Sequence, residues 1–430
     1  MLTKQAIKMK GNFLYAIGFL SLGLIMTGCG KSSKSSGSIG DGQLHGVSLG
    51  GKYIMPKPPG MIYVPSGTFH MGPSDEDISY AFTARNKQVS INGFWMDATE
   101  ITNDEYRQFV LWVRDSIAGS ILNFKKNAPD GSTAIDWGKV RTIKWADPKI
   151  QEQLSALIVT PDNRINGRKE IDAKKIIYHS EWLDYKEAAQ RENADKPRST
   201  FIVKKDTPIY PDTLVWIRDF SYSYNEPHAK KYFSHPAYGA YPVVGVSWKQ
   251  ATAFTEWRTH YLNSYLERSK RMTESDFRLP TEAEWEYASR GGLDLSPYPW
   301  GGPYTRNYLG CPLANFKPMH GDYVEDNGCH TVPIFSYSPN DYGLFNMSGN
   351  VAEWTNTAYD ESVYEFSHDL SPEYQYRSTT SDPPSLKRKV IRGGSWKDIG
   401  YFIQTGTRSY EYQDTAKSYI GFRCVMSYLG

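Results

Sequence analysis

The chain has 430 residues and a formal charge of +2, and no basic stripe with interleaved aromatics runs along it, which excludes a general nucleic-acid binder. Aromatic residues make up 14% of it, with 31 Tyr. Large amphipathic rings fill gaps in irregular structure while their hydroxyls satisfy loop backbone, so this composition suits a loop-rich chain.

Lys4, Lys8 and Lys10 precede an apolar run from Phe13 to Met26 that closes at Met26-Thr27-Gly28-Cys29. A run this short, flanked by cations and ended by small residues before a cysteine, reads as the signal peptide of a bacterial lipoprotein over residues 1–28, not as a spanning helix. Cys29 is then the lipidation site. Acyl chains on its thiol and amine, at roughly 0.8 kcal/mol per buried methylene, make a permanent anchor, and Gly30 after the cysteine points to the outer membrane. Residues 29–59 are rich in Ser, Gly and Pro with few large apolar groups; such a segment cannot bury enough surface to order itself and reads as a tether.

The folded part is expected from Gly60. Met61-Ile62-Tyr63-Val64 and Thr68-Phe69-His70-Met71 alternate in strand fashion around Pro65-Ser66-Gly67, which predicts a hairpin. After the apolar stretch Gly93-Phe94-Trp95-Met96, Thr102-Asn103-Asp104-Glu105 is a capping box, with Tyr106, Phe109, Val110 and Val113 following at helical spacing. Ser247-Trp248-Lys249-Gln250 and Thr281-Glu282-Ala283-Glu284 repeat the device, so three capped helices are predicted. Lipidation of Cys29 leaves Cys311, Cys329 and Cys424: either Cys311 pairs with Cys329 in an oxidising periplasm or all three are free buried thiols. No Cys-x-x-Cys or His-x-x-x-His spacing suggests a transition-metal site, and the dispersed histidines, His228 and His330 among them, read as surface or packing residues.

In order along the chain come Glu100-Ile101-Thr102-Asn103, Val243-Val244-Gly245-Val246-Ser247-Trp248, Arg278-Leu279-Pro280-Thr281-Glu282-Ala283-Glu284-Trp285-Glu286-Tyr287, Asn346-Met347-Ser348-Gly349-Asn350-Val351-Ala352-Glu353-Trp354, Arg392-Gly393-Gly394-Ser395-Trp396 and Gly421-Phe422-Arg423-Cys424. With this series the chain resembles the formylglycine-generating enzyme (sulfatase-modifying factor) family from Gly60 to Cys424. The resemblance implies an α+β, C-type-lectin-like, loop-rich fold over residues 60–430. A long charged and Tyr-rich insertion, at about 115–234, is assigned to partner binding. It also implies two calcium sites, since a hard cation takes carboxylate, amide and main-chain oxygens. One uses the side chains of Asn346 and Glu353 with the carbonyls of Gly349 and Val351. The other uses Asn315, the Phe316 carbonyl, Asp326 or Asn327, and the Cys329 carbonyl.

Enzymes of that family carry a reactive cysteine pair shortly after the Gly-Gly-Ser-aromatic element, for copper binding and thiol oxidation. Between Trp396 and Cys424 this sequence has no cysteine. The expectation is therefore no copper, no catalytic residue and no enzymatic activity. Ser289 stands where many relatives carry a cysteine bonded to the thiol matching Cys424, so those two residues are expected side by side. Arg392, Arg408 and Arg423 are expected to tie main-chain carbonyls with their five donors. The lipobox, the opening from Gly67 to Asp77 and the insertion are together most similar to the gliding-motility lipoproteins of this family. That likeness implies a structural subunit of the type IX secretion system on the periplasmic face of the outer membrane, in a homo-oligomeric ring with a GldN/PorN-type partner. The alternative is a degenerate peptide or glycan binder, with Trp396, Tyr401 and Phe402 as stacking surfaces in the former catalytic cleft.

Overall fold

Strand pairing places the N-terminal segments differently from the expected hairpin. The computed structural model describes residues 55–73, 85–127 and 133–429; the lipobox, Cys29, most of the tether and Ser74 to Asp77 lie outside the described residues. Strands β1 (Met61–Val64), β2 (Gly67–Met71), β3 (Lys87–Ile91) and β4 (Phe94–Asp97) pair as β1 with β4 and β2 with β3, each antiparallel. The reason is burial on two faces: Met61 and Val64 are fully enclosed and all four β4 residues are buried, which an isolated two-stranded ribbon cannot provide. Pro65-Ser66-Gly67 carries the chain from one sheet to the next.

Between β4 and the long insertion runs the Asn103–Ile121 helix, followed by a short β5–β6 ribbon (Lys125–Asn127 with Thr133–Ile135) and a seven-residue β7–β8 ribbon (Ile177–Leu183 with Ile202–Pro208). The Trp248–Arg268 helix, β9 (Phe277–Arg278) and the Glu282–Arg290 helix follow. The C-terminal strands are β10 (Ala352–Ala358), β11 (Arg388–Arg392), β12 (Ser409–Tyr412), β13 (Ile420–Gly421) and β14 (Val425–Ser427). They complete two four-stranded sheets, ordered β1-β4-β14-β9 and β12-β11-β10-β13. The first therefore joins both ends of the chain. The architecture is α+β and loop-rich, in agreement with the sequence reading.

All three capping boxes form. Thr102, Ser247 and Thr281 each accept from the backbone N–H three residues on, while Glu105, Gln250 and Glu284 reach back to the cap backbone. The first two helices then bury an aromatic face each against one another. Tyr106 stacks on Phe254 at 5.5 Å and Phe109 meets Trp257 at 5.1 Å, with Phe422 edge-on to Phe254. The Tyr106 hydroxyl donates to the Ile209 carbonyl at 2.9 Å, so even this ring ties a loop. No helix among the described residues is long and apolar enough to cross a membrane.

Two boundaries move. Met55 is buried in the core and Met61 donates to the Pro58 carbonyl, so residues 55–59 belong to the folded unit, Tyr53–Gly430, and not to the tether. The first helix runs on to Ile121, so the insertion begins after it. The described residues of the insertion are built into the core: Ile176, Tyr178, Ile209 and Phe233 join the aromatic cluster, and Leu154 and Leu157 pack with Ala118. Truncating Phe233 to Ala is expected to lower unfolding free energy by about 3–5 kcal/mol, against no more than ~0.5 kcal/mol for exposed Tyr222→Ala; urea denaturation of the two variants checks it.

Candidate functional site

The stretch after Gly393-Gly394-Ser395-Trp396 is where the sequence motifs would place chemistry, and packing fills it. The Ser395 hydroxyl donates to Asp398 at 2.6 Å, Lys397 pairs with the same carboxylate at 2.5 Å, and the Asp398 carbonyl receives Lys317 N–H at 2.8 Å. Ile403 is fully buried against Tyr298, Ala314 and Phe316. Gly394 must be glycine: its φ is +62° and a Cβ would lie 2.6 Å from the Phe402 carbonyl oxygen. Trp396 is buried and stacks on Trp216 at 6.2 Å, so core packing, not ligand stacking, explains it. A cleft of about 270 Å³ remains beside this stretch, lined by Lys397, Asp398, Phe402, Tyr410 and Glu411 among others.

None of the three described cysteines is paired. Cys311 and Cys329 are free and exposed, and Cys424 is free and buried, so neither sequence alternative holds in full. Burial pushes the Cys424 thiol well above its ordinary pKa, and nearby Asp97 adds to the effect. Ser289 and Cys424 do not share a site. Ser289 faces the Thr405 hydroxyl at 3.5 Å. Cys424 instead lies in the cluster of the Trp248–Arg268 helix, its N–H donating to Asp97, which Arg258 clamps at 2.7 and 2.9 Å.

Beneath the cleft runs a buried ionic frame. Glu282, Glu284 and Glu286 are all buried on the third capped helix, and between them they meet four guanidinium groups, with Arg392 near both Glu282 and Glu286. Arg408 clasps Glu282 at 2.6 and 3.0 Å, Arg278 clasps Glu284 at 2.6 Å twice, and Glu286 pairs with both Arg290 and Arg392. Arg392 also donates to the carbonyls of Thr405, Gly406 and Thr407. Arg423 holds Glu353 through Nε and Nη2 and caps the carbonyls of Asp97, Ala98 and Phe345. The expected role of these arginines as carbonyl ties is what the structure shows. Burial alone would raise the carboxyl pKa of Glu282 and of Glu284, but the paired guanidinium groups hold both below the ordinary value.

The two oxygen sets differ in how they meet a hard cation. Asn315 and Asp326 come together across the loop: Asp326 accepts from Phe316 N–H at 2.7 Å and Gly328 N–H at 3.1 Å, which leaves half its acceptor capacity. Of the alternatives at 326 and 327, Asp326 is thus the one that reaches. Asn315 Oδ1 is buried without a partner, and so is Asn346 Oδ1 in the other set; such an orphaned acceptor costs about 1–3 kcal/mol. In that set, however, Glu353 already accepts from Arg423 Nε on both oxygens, from Arg423 Nη2 and from Trp285 Nε1 at 2.8 Å. Three N–H groups thus meet this carboxylate, the Arg423 Nε proton being shared between its two oxygens. A hard cation would meet Asn315 Oδ1 and the Asp326 carboxylate at one set and Asn346 Oδ1 at the other, where Glu353 is already paired with Arg423. Gly349 allows the two loops to meet, since at φ +77° a Cβ would sit 2.3 Å from the Asn315 carbonyl oxygen. Among the described residues no three His, Cys, Asp or Glu side chains converge as a metal site, so a cation here leans on amide and carbonyl oxygen.

Two features escaped sequence reasoning. Glu100 is fully buried and accepts from the amides of Asn346 and Asn350 at 3.0 and 2.8 Å. Burial raises its pKa to about 7 against the pull of Arg423. Its place directly before the Thr102 capping box was the available signal. His228 and His330 meet at 4.8 Å beside Trp216 and Trp396, over a cavity of about 590 Å³ lined also by Tyr238, Tyr241 and Tyr337. Burial lowers the pKa of both, that of His330 to about 4 with His228 adding to it. Nothing local in the sequence announces that pair.

Comparison with known proteins agrees with this geometry. A family model described as the sulfatase-modifying factor enzyme 1-like domain matches residues 52–428. A formylglycine-generating enzyme of Bos taurus is 26% identical over 382 residues, covering 87% of this chain and 76% of its own. A Bos taurus protein named inactive C-alpha-formylglycine-generating enzyme 2 is 35% identical over 191 residues, covering 43% of this chain and 50% of its own. Among solved structures, PvdO from Pseudomonas aeruginosa superposes at a TM-score of 0.47 with 16% identity, covering 86% of this chain and 94% of that one.

Removing one partner from a buried ion pair strands the other charge, so Glu286→Gln is expected to destabilise the fold by about 3–5 kcal/mol, measured by urea unfolding. The frame also sets an acid limit. A carboxylate held below its unfolded pKa contributes stability that is present above about pH 4.5 and is lost as pH falls through its folded value. The urea midpoint is therefore expected to drop between pH 5 and pH 3, and to drop less in Arg408→Met, where Glu282 has lost its closest cation.

Proposed function

The chain belongs to the sulfatase-modifying factor family, and we propose that it is a non-catalytic, lipid-anchored member of it: the GldK (PorK) type of lipoprotein, a structural subunit of the type IX secretion and gliding-motility machinery. The observation that carries this reading is the interval after Trp396. Where the family's oxidase chemistry needs two thiolates, this chain has Asp398 bonded to Ser395 and Lys397, and Ile403 sealed in the core. Copper(I) has no soft ligand there. That a relative is named inactive supports the same direction.

The address comes from the sequence: the lipobox ending at Cys29, followed by Gly30, supports a lipid anchor at the periplasmic face of the outer membrane. A rigid domain knitted by buried ion pairs offers wide irregular surfaces to neighbours. Its partners are then further copies of itself, in a ring, and a GldN/PorN-type periplasmic protein. Calcium at the Asn346 and Asn315–Asp326 sets braces the loops that carry them.

The rival reading, a peptide or glycan binder, has a specific observation behind it in the cleft bordered by exposed Phe402 and Tyr410. Its volume lies just below the ordinary range for ligand pockets, and the buried Trp396 removes one of its three expected stacking surfaces. Solubilising outer membranes in mild detergent and isolating the full chain is expected to give one large stoichiometric assembly containing a second periplasmic protein. Recovery as a monomer carrying bound peptide or sugar would favour the rival.

A further inference from the structure

We infer that residues 137–175 of the insertion form the docking site for an acidic partner segment, which seats one phenylalanine-sized side chain in an apolar pocket and lays its carboxylates on the surrounding cations. The inference rests on the proposal that the chain is a scaffold subunit, and it says where a periplasmic partner is held and by what chemistry.

Local devices build the pocket. Asp147 caps the helix Pro148–Gln153 by accepting from the Lys149 N–H at 2.9 Å, and proline holds the first helical position. Gln151 Nε2 donates back to the Trp145 carbonyl at 3.1 Å. Across the module, the Val159 N–H donates to the Glu170 carbonyl at 2.9 Å and the Asp172 N–H to the Leu157 carbonyl at 2.8 Å. These ties leave a pocket of about 170 Å³, lined on its apolar side by Trp145, Ile171 and the buried Leu154 and Leu157, and on its polar side by Arg114 and Lys169. Close-packed interiors leave few voids larger than a water molecule. An apolar cavity of about 150 Å³ accepts benzene, so this pocket has room for one phenyl ring. The Arg114 guanidinium lies 4.2 Å from the centre of the Trp145 ring and pairs with Asp115 at 2.6 Å. That wall is thus set before anything binds, which spares part of the ordering cost of docking.

Charge selects the occupant. Residues 137–175 hold nine Lys and Arg against five Asp and Glu, a balance of +4 in a chain whose total is +2, so the rest of the chain is net negative. Two of these cations are spent inside the module, Arg164 Nε on the Val159 carbonyl at 3.0 Å and Lys175 Nζ on the Ile158 carbonyl at 2.9 Å. Lys139, Arg141, Lys144, Lys149, Arg168 and Lys169 are exposed and form no ion pair among the described residues. A basic surface around an apolar pocket is complementary to a segment that carries acidic side chains on both sides of an apolar anchor. The carboxylates steer the encounter, and the enclosed ring holds the complex. Room for a single anchoring side chain is a feature that binding to anionic lipid would not require, so a polypeptide is the occupant the observations favour.

The test is fluorescence anisotropy of a fluorescein-labelled peptide, one Phe flanked on each side by three Glu, titrated with the full chain in neutral detergent. Saturable binding is expected. It should weaken by about 10-fold or more for the peptide with Ala in place of Phe, and by about 10-fold for Lys169→Glu, whose exposed and unpaired side chain leaves the fold untouched. No binding, equal binding of the Phe and Ala peptides, or indifference to Lys169→Glu would overturn the docking site. Displacement of the bound peptide by phosphatidylglycerol added to the detergent would overturn it in favour of lipid. In each of these cases a large assembly recovered from the outer membrane would leave the scaffold reading standing, whereas a monomer would remove it.

Discussion

The buried pairing of Glu286 with Arg392 and Arg290 is the constraint around which the rest of this fold is arranged. A loop-rich chain leaves many main-chain carbonyls without ladder partners, and each must be met by some donor. Guanidinium groups meet them here, and a guanidinium can enter the interior only with a carboxylate beside it. That is why the helix opening with Thr281 buries three glutamates, and why Arg392 sits where it gathers the Thr405, Gly406 and Thr407 carbonyls. Arg423 with Glu353 repeats the arrangement next to it, since Glu353 lies directly across from Arg392 in the β10–β11 register, and Trp285 also donates to Glu353. Such pairs add little net stability over apolar replacements of the same shape; what they fix is the path of the loops.

This frame also accounts for how the family's chemistry can be absent while its architecture stays. The residues that define the motifs, Glu282 to Tyr287, Arg392 to Trp396 and Gly421 to Cys424, hold the frame and do not depend on a thiol pair. In the interval after Trp396, which holds no cysteine, Asp398 is met by Ser395 and Lys397, and Ile403 by an apolar pocket.

What the sequence made legible was local. Capping boxes depend on residues three apart, so all three were readable, and the aromatic faces of the first two helices followed from their periodicity. The hairpin was misplaced because alternation identifies a strand but not its partner: Val64 pairs with Phe94 and Gly67 with Ile91. The same limit applies to Ser289 and Cys424, to the meeting of His228 with His330, and to the pairing of Glu353 with Arg423, all long-range events. The Tyr, Trp and Ile content of the insertion pointed to ordered structure, but the entry of Tyr178 and Phe233 into the main core needed the fold. At the oxygen sets, sequence could name the ligands; only coordinates show that Asn315 Oδ1 and Asn346 Oδ1 are the atoms left open.

A scaffold role stands or falls on the missing thiol chemistry. The most direct measurement is to incubate the purified chain with copper(I), dioxygen and a cysteine-containing peptide, and to follow the peptide by mass spectrometry. An unchanged thiol is the expected result. Conversion of that cysteine to an aldehyde would contradict it, because no pair of sulfur ligands near Trp396 could have carried the reaction.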